Sequence, residues 1–138
     1  MRKIIGYTPG VFDVFHVGHL SVIEKSKKLC DHLIVAVCSD ELTCSTKSTP
    51  LIKELDRLNI ISSLKFVDEA FIYTNLIHID YLRKYKVNVF SPGEEFGILE
   101  EHKITLDYCY KNNIQVKFQP RLKGISSSEI KRKMSNKQ

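Results

Sequence analysis

Residues 4–39, IIGYTPGVFDVFHVGHLSVIEKSKKLCDHLIVAVCS, carry the pattern that decides the fold. Ile4 to Tyr7 is a short apolar run closed by Pro9-Gly10, as a buried strand and its exit would be. From about 18 to 30 the period changes. Val22, Ile23, Ser26, Leu29 and Cys30 share one helical face, and Glu24, Lys25, Lys27 and Lys28 share the other. His32 to Ser39 is then a continuous apolar run, as expected of a strand covered on both faces of a parallel sheet. Strand, helix and strand at this spacing predict a parallel βαβ unit.

The alternation continues outward from this unit. Ser39 to Pro50 is polar and reads as a loop. Leu51, Leu55, Leu58, Ile61 and Leu64 recur at three- and four-residue intervals, a helix starting between 50 and 54. Glu69 to Tyr73 reads as a third strand, Leu76 to Tyr85 as a helix, and Val87 to Ser91, closed by Pro92-Gly93, as a fourth strand. A helix from about Leu99 to Lys111 exits through Asn112-Asn113 into a fifth strand, Ile114 to Phe118. Ser126 and Glu129 have capping-box spacing and open a last helix. The expectation is an α/β single domain over residues 1–138, three layers (α/β/α) around a five-stranded parallel sheet.

Bulk properties agree with one globular unit: 138 residues, 43% hydrophobic and 27% charged. No apolar run approaches the roughly 20 residues that span a bilayer, and the N-terminus is too short an apolar segment for a signal peptide, so a cytoplasmic protein is expected. Cys30, Cys38, Cys44 and Cys109 lack CxxC spacing and are read as free thiols rather than disulfides or a zinc site. The net charge of +5 suits anionic ligands. The cations are scattered, with only Lys131-Arg132-Lys133 as a run and no recognition motif, so nucleic acid is not expected as partner.

Ligands of such sheets bind beyond the carboxyl ends of the strands. That rule selects residues 8–19, 91–97 and 119–128. The first contains Gly10-Val11-Phe12-Asp13-Val14-Phe15-His16-Val17-Gly18-His19. Two imidazoles three residues apart at a helix N-terminus fall on about the same side of the turn, where unpaired N–H groups and the helix dipole attract anions. Gly18 lets a phosphate approach the backbone. Taken singly, either histidine is as easily an ordinary surface or core residue, and two histidines alone make a weak metal site.

In its entirety the segment resembles the signature G-x-F-D-x-x-H-x-G-H of the HxGH nucleotidyltransferase superfamily. The resemblance runs from Ile4 to about Lys133 and is nearest to the bacterial glycerol-3-phosphate cytidylyltransferases. It implies a Rossmann-like domain that binds a nucleoside triphosphate over the first helix, with Pro9, Gly10, Val11, Phe12 and Gly18 beside the nucleotide. His16 and His19 would stabilise the transition state, and Asp13 would position phosphates or a magnesium ion. Arg121-Leu122-Lys123-Gly124-Ile125-Ser126-Ser127-Ser128 is similar to the R-x-E-G-I-S-T segment of cytidylyltransferases, with Lys123 in place of an acid. That match implies CTP, with Arg121, Gly124, Ile125, Ser126, Ser127 and Ser128 around its phosphates. Ser91-Pro92-Gly93-Glu94-Glu95-Phe96 resembles the family's G-D-D-W segment, with Glu for Asp and Phe for Trp. Gly93 would border the base, while Glu94, Glu95 and Phe96 would face the acceptor. Arg57 matches a family arginine that faces the site. Lys65 to Glu69 resembles R-Y-V-D-E, which assigns Lys65 and Asp68 to the acceptor. Lys47 lies where relatives carry lysines that close over the triphosphate.

The resemblance therefore implies transfer of CMP from CTP to a small phosphorylated polyol or amine, first of all glycerol 3-phosphate, with magnesium accompanying CTP and a homodimer as the assembly. Two other readings stand beside it. One is an adenylyltransferase acting on a sugar phosphate or FMN; the other is a non-catalytic nucleotide-binding regulator.

Overall fold

The computed structural model describes residues 2–136. Its elements follow one another as β1 (Ile5–Gly10), α1 (Val17–Lys27), β2 (His32–Cys38), α2 (Asp40–Thr46), α3 (Glu54–Ser62), β3 (Glu69–Tyr73), α4 (Ile79–Lys84), β4 (Val89–Phe90), α5 (Glu100–Lys111), β5 (Gln115–Val116) and α6 (Ser127–Asn136). The five strands form one sheet in the order β3-β2-β1-β4-β5, and every pairing is parallel. This is the expected Rossmann-like architecture.

Alternation along β2 builds both layers. Leu33, Val35 and Val37 pack with Phe12, Ile23 and Ile61 on the face of α1 and α3. Ile34, Ala36 and Cys38 pack with Tyr7, Tyr73, Leu82, Phe90 and Cys109 on the face of α4 and α5. The strand order places β1 between β2 and β4, where the direction of winding reverses. Such a switch point leaves a crevice beyond the carboxyl ends of the central strands. The loops after β1, β4 and β5 meet there.

The 39–50 stretch differs from its expectation as a loop. Ser39 Oγ accepts the Leu42 N–H at 3.1 Å, and Asp40 and Glu41 occupy the first turn of α2. A good cap and favourable charge–dipole pairing make a seven-residue helix from a polar sequence. The helix at 54–62 also turns differently. Leu51 and Leu55 are 62% and 64% exposed, whereas Arg57 is wholly buried beside Ile61. The guanidinium takes the inward position because four acceptors await it. Cys38 and Cys109 are buried, Cys30 is half-buried and Cys44 exposed, all as free thiols. Among the described residues no helix is long and apolar enough to cross a membrane.

Candidate active site

A cleft of about 430 Å3 opens at the carboxyl ends of β1, β4 and β5, walled by the starts of α1 and α6 and by Thr43, Lys47 and Ser48. Its floor is the turn after β1. Phe12 (φ 58°) and Val14 (φ 51°) both take the left-handed conformation, at a cost of order 1–3 kcal/mol each. A Cβ on Gly10 would lie 2.6 Å from the Phe12 ring, so only glycine lets that ring fold back into the core.

Outside contacts hold this strained turn. Arg57 Nη1 donates to Val11 O at 2.7 Å and to Cys38 O at 2.8 Å, Nε donates to Ile52 O, and Nη2 pairs with Asp40 at 2.5 Å. Asp13 is 3% exposed and accepts the N–H groups of Leu51 and Ile52, each at 2.9 Å, while its Oδ2 pairs with Lys131. Ser127 Oγ donates to Asp13 O at 2.5 Å. Burial raises the Asp13 carboxyl, but these hydrogen bonds and the Lys131 charge outweigh it and hold the group below its ordinary value.

The histidine rings stack, 3.9 Å between centroids and 24° between planes. His16 Nδ1 accepts the Gly18 N–H at 3.0 Å and so caps α1, and His19 Nδ1 accepts the His16 N–H at 3.3 Å. With both Nδ1 atoms accepting, the proton of each neutral ring sits on Nε2. His19 Nε2 lies 3.4 Å from Ser127 Oγ. Burial, aided by His16 and Lys47, pushes His19 down to about 4 against the opposing pull of Asp13, and burial also lowers His16. At neutral pH two uncharged N–H donors therefore sit side by side. A Cβ at Gly18 would come within 2.7 Å of His16, so the glycine leaves room for the ring to fold back as a cap.

The opposite wall belongs to residues 121–131. Ser126 Oγ accepts the Glu129 N–H at 3.1 Å, the cap expected from the sequence, and Gly124 turns the chain at φ 83°. Ile125, Ser126, Ser127, Ser128 and Lys131 line the cleft, and Arg121 at its edge lies 3.7 Å from Glu95.

Most of the residues expected at the site do converge on this cleft: Pro9 to Asp13, His16, Gly18, His19, Lys47, Gly93, Glu95, Arg121 and Ile125 to Ser128. Six do not. Arg57 is a buried strut that reaches the site only through Val11 O. Lys65 lies over the Phe66 ring, and Asp68 pairs with Lys27 at 2.7 Å and accepts the Leu33 N–H. Both precede β3, at the amino end of the sheet, so neither lines the cleft for an acceptor. Phe96 stacks on His102 at 4.0 Å and packs on Phe90, filling core rather than cleft. Glu94 and Gly124 border a second hollow behind the 121–126 loop, which Arg121 shares.

Lys131, Gln119 and Thr43 line the cleft without having been expected there. Lys131 follows Ser127 by four positions and so shares its helical face. That spacing was readable, although the residue stands in a run of surface cations. Asp13 does not fit a protein-held magnesium: its carboxylate is occupied by two amides and an ammonium, and the described residues contain no group of three candidate ligands.

The model of the "Cytidylyltransferase-like" family matches residues 7–133. The chain belongs to the cytidylyltransferase-like family. It is thus an enzyme, a nucleotidyltransferase. Glycerol-3-phosphate cytidylyltransferase of Bacillus spizizenii is 30% identical, over 99% of both chains. The FAD synthase of Pyrococcus abyssi is 30% identical, over 82% of this chain and 84% of its own. A solved lipopolysaccharide core biosynthesis protein from Thermoplasma volcanium superposes with a TM-score of 0.73 at 29% identity, covering 90% of this chain and 100% of that one.

Proposed function

We propose that this enzyme transfers CMP from CTP to a small phosphate-bearing alcohol, with glycerol 3-phosphate the first candidate. The observation that carries the reading is the cleft that both histidines line, with His19 Nε2 3.4 Å from Ser127 at the capped start of α6 and Lys47 and Lys131 on its walls. Full-length similarity to a glycerol-3-phosphate cytidylyltransferase supports the choice of donor and acceptor.

An acceptor phosphate oxygen attacks the α-phosphorus of CTP. The new P–O bond forms as the bond to the α,β-bridging oxygen breaks, and pyrophosphate leaves with that electron pair. The attacking oxygen is already anionic, so no side chain need serve as base or nucleophile. His16 and His19 donate to the α-phosphoryl oxygens, where charge redistributes in the transition state. Lys47, Lys131 and the N–H groups opening α6 hold the departing phosphates, and Arg121, beside Glu95, borders the nucleotide. Magnesium would arrive chelated by triphosphate oxygens and neutralise part of their charge. The enzyme would work in the cytosol as a homodimer, giving about twice the 15.9 kDa chain mass by light scattering.

Pyrophosphate release with CTP or ATP, against glycerol 3-phosphate, phosphocholine, phosphoethanolamine and FMN, tests this. Release that needs CTP and glycerol 3-phosphate together is the expected result. Release with ATP and FMN alone would replace the reading by the adenylyltransferase one, which similarity to an FAD synthase favours.

A further inference from the structure

We propose that Gln119 selects the nucleobase: its carboxamide oxygen, aimed at the cleft by Ser91 and Ser26, accepts the exocyclic amine of cytosine and disfavours the carbonyl that uracil carries there. The inference rests on the CTP reading above and names a residue that enforces it.

A nucleoside triphosphate is charged at one end only. The cations and helix starts of the cleft gather around His16, Lys47 and Lys131, and Arg121, the one cation at the other end, faces Glu95, so the base extends toward that less positive end. That end is built by β4 and β5. Gly93 and Gln119 are joined there by a parallel bridge, with Gln119 N donating to Pro92 O at 2.8 Å. Both residues line the cleft, and the nearby Arg121 faces Glu95.

The Gln119 side chain is not free to turn. Its Nε2 donates to Ser91 Oγ at 2.9 Å, and Ser91 Oγ lies 2.8 Å from Ser26 Oγ. Ser26 and Ser91 are each 1% exposed and Gln119 4%. A buried polar chain running from β5 through β4 to α1 stabilises the core no better than apolar groups of the same shape would. What it does supply is one fixed position for a carboxamide, whose oxygen is the free end while Ser91 Oγ accepts from Nε2 and donates to Ser26 Oγ. Among the described residues Thr8 Oγ1 is the one buried side-chain polar atom without a partner. Gln119 Oε1 receives no hydrogen bond from those residues either, so it meets solvent, and the open space that Gln119 borders is the cleft. A fixed acceptor gains a hydrogen bond from an amine and meets lone-pair repulsion from a carbonyl. Sites built in this way discriminate more sharply than apolar pockets do.

The test is calorimetric titration of the full chain with CTP and with UTP. The wild type is expected to bind CTP at least about tenfold more tightly than UTP. In Gln119→Leu, CTP binding weakens by about tenfold and UTP binding changes little, so the preference collapses. Ser91→Ala, which frees the carboxamide to rotate, lowers the preference while CTP still binds. It carries the same test should Gln119→Leu fail to fold. A wild type without preference, or a folded Gln119→Leu as selective as a CTP-preferring wild type, overturns the role of Gln119 and leaves the CTP reading standing. A wild type that binds neither nucleotide overturns the CTP reading itself, and this inference with it.

Discussion

His16 holds two tasks in one ring, because Nδ1 caps α1 while Nε2 keeps its proton for the cleft. His16→Ala should therefore lose about 1 kcal/mol of stability from the missing cap. Loss of one transition-state donor should lower kcat by roughly 100- to 1000-fold. His19→Ala, which removes only the longer 3.3 Å half of the capping box, should show the kinetic loss with a melting temperature closer to wild type. Steady-state pyrophosphate release and thermal melts of both variants separate the two contributions. Near-normal turnover in both would remove the histidines from the mechanism. At this scale the sequence was most legible where residues are contiguous. The turn at 10–19 and the helix start at 126–128 were readable as contiguous motifs resembling family signatures, since neighbours along a turn stay neighbours in space. Arg57, Lys65 and Asp68 were misplaced because motif matching does not show which end of a strand a residue occupies, or whether a charge points in or out.

Arg57 belongs to the scale of elements, since it ties α3 to the turn after β1, to the end of β2 and to the start of α2. Arg57→Lys keeps the charge but lacks the fork, and it leaves several buried carbonyls without donors. A loss of about 3 kcal/mol or more is expected, read as a lowered urea midpoint. Activity should fall with stability, because the Phe12–Val14 turn loses its support. An Arg57→Lys protein as stable as wild type would show that the strut is dispensable. The α2 helix escaped the sequence reading for a related reason. Its stability comes from one serine cap and two acidic residues rather than from apolar periodicity, so its polar composition reads as a loop.

For the whole molecule, acid is the expected weakness. Burial holds His78 down at about 3, where its Nδ1 shares a 2.7 Å hydrogen bond with the Tyr7 hydroxyl, and His19 is held at about 4. The unfolded chain protonates both near their ordinary 6.5, whereas the folded chain does not until lower pH. Falling pH thus favours unfolding, from about 6.5 down to those folded values. His78 alone, 1% exposed, should contribute a slope approaching about 1.4 kcal/mol per pH unit within that window. Asp13 and Asp68, whose folded values lie below 3.8, add a further loss as pH falls through them. Urea titrations at pH 7, 6 and 5 check the trend, and equal midpoints at all three would contradict it. The centre of the sheet was legible because the unbroken apolar run of β2 suits a strand covered on both sides, whereas β4 and β5 pair over only two of their five expected residues each. The pairing order was not legible, since β1 meets β4 across more than 80 residues.

Among its described residues α6 buries none, yet Ser127 and Lys131 reach back 114 and 118 positions to Asp13. The helix adds little to the core and much to the cleft. On the ribosome, the five strands can all have emerged and paired while the turn after β1, although made before all but the first of them, still lacks the support of α6. Competence to bind nucleotide is thereby deferred until Ser127 and Lys131 have been made. A nascent chain halted before Ser126 would hold a sheet but no finished site.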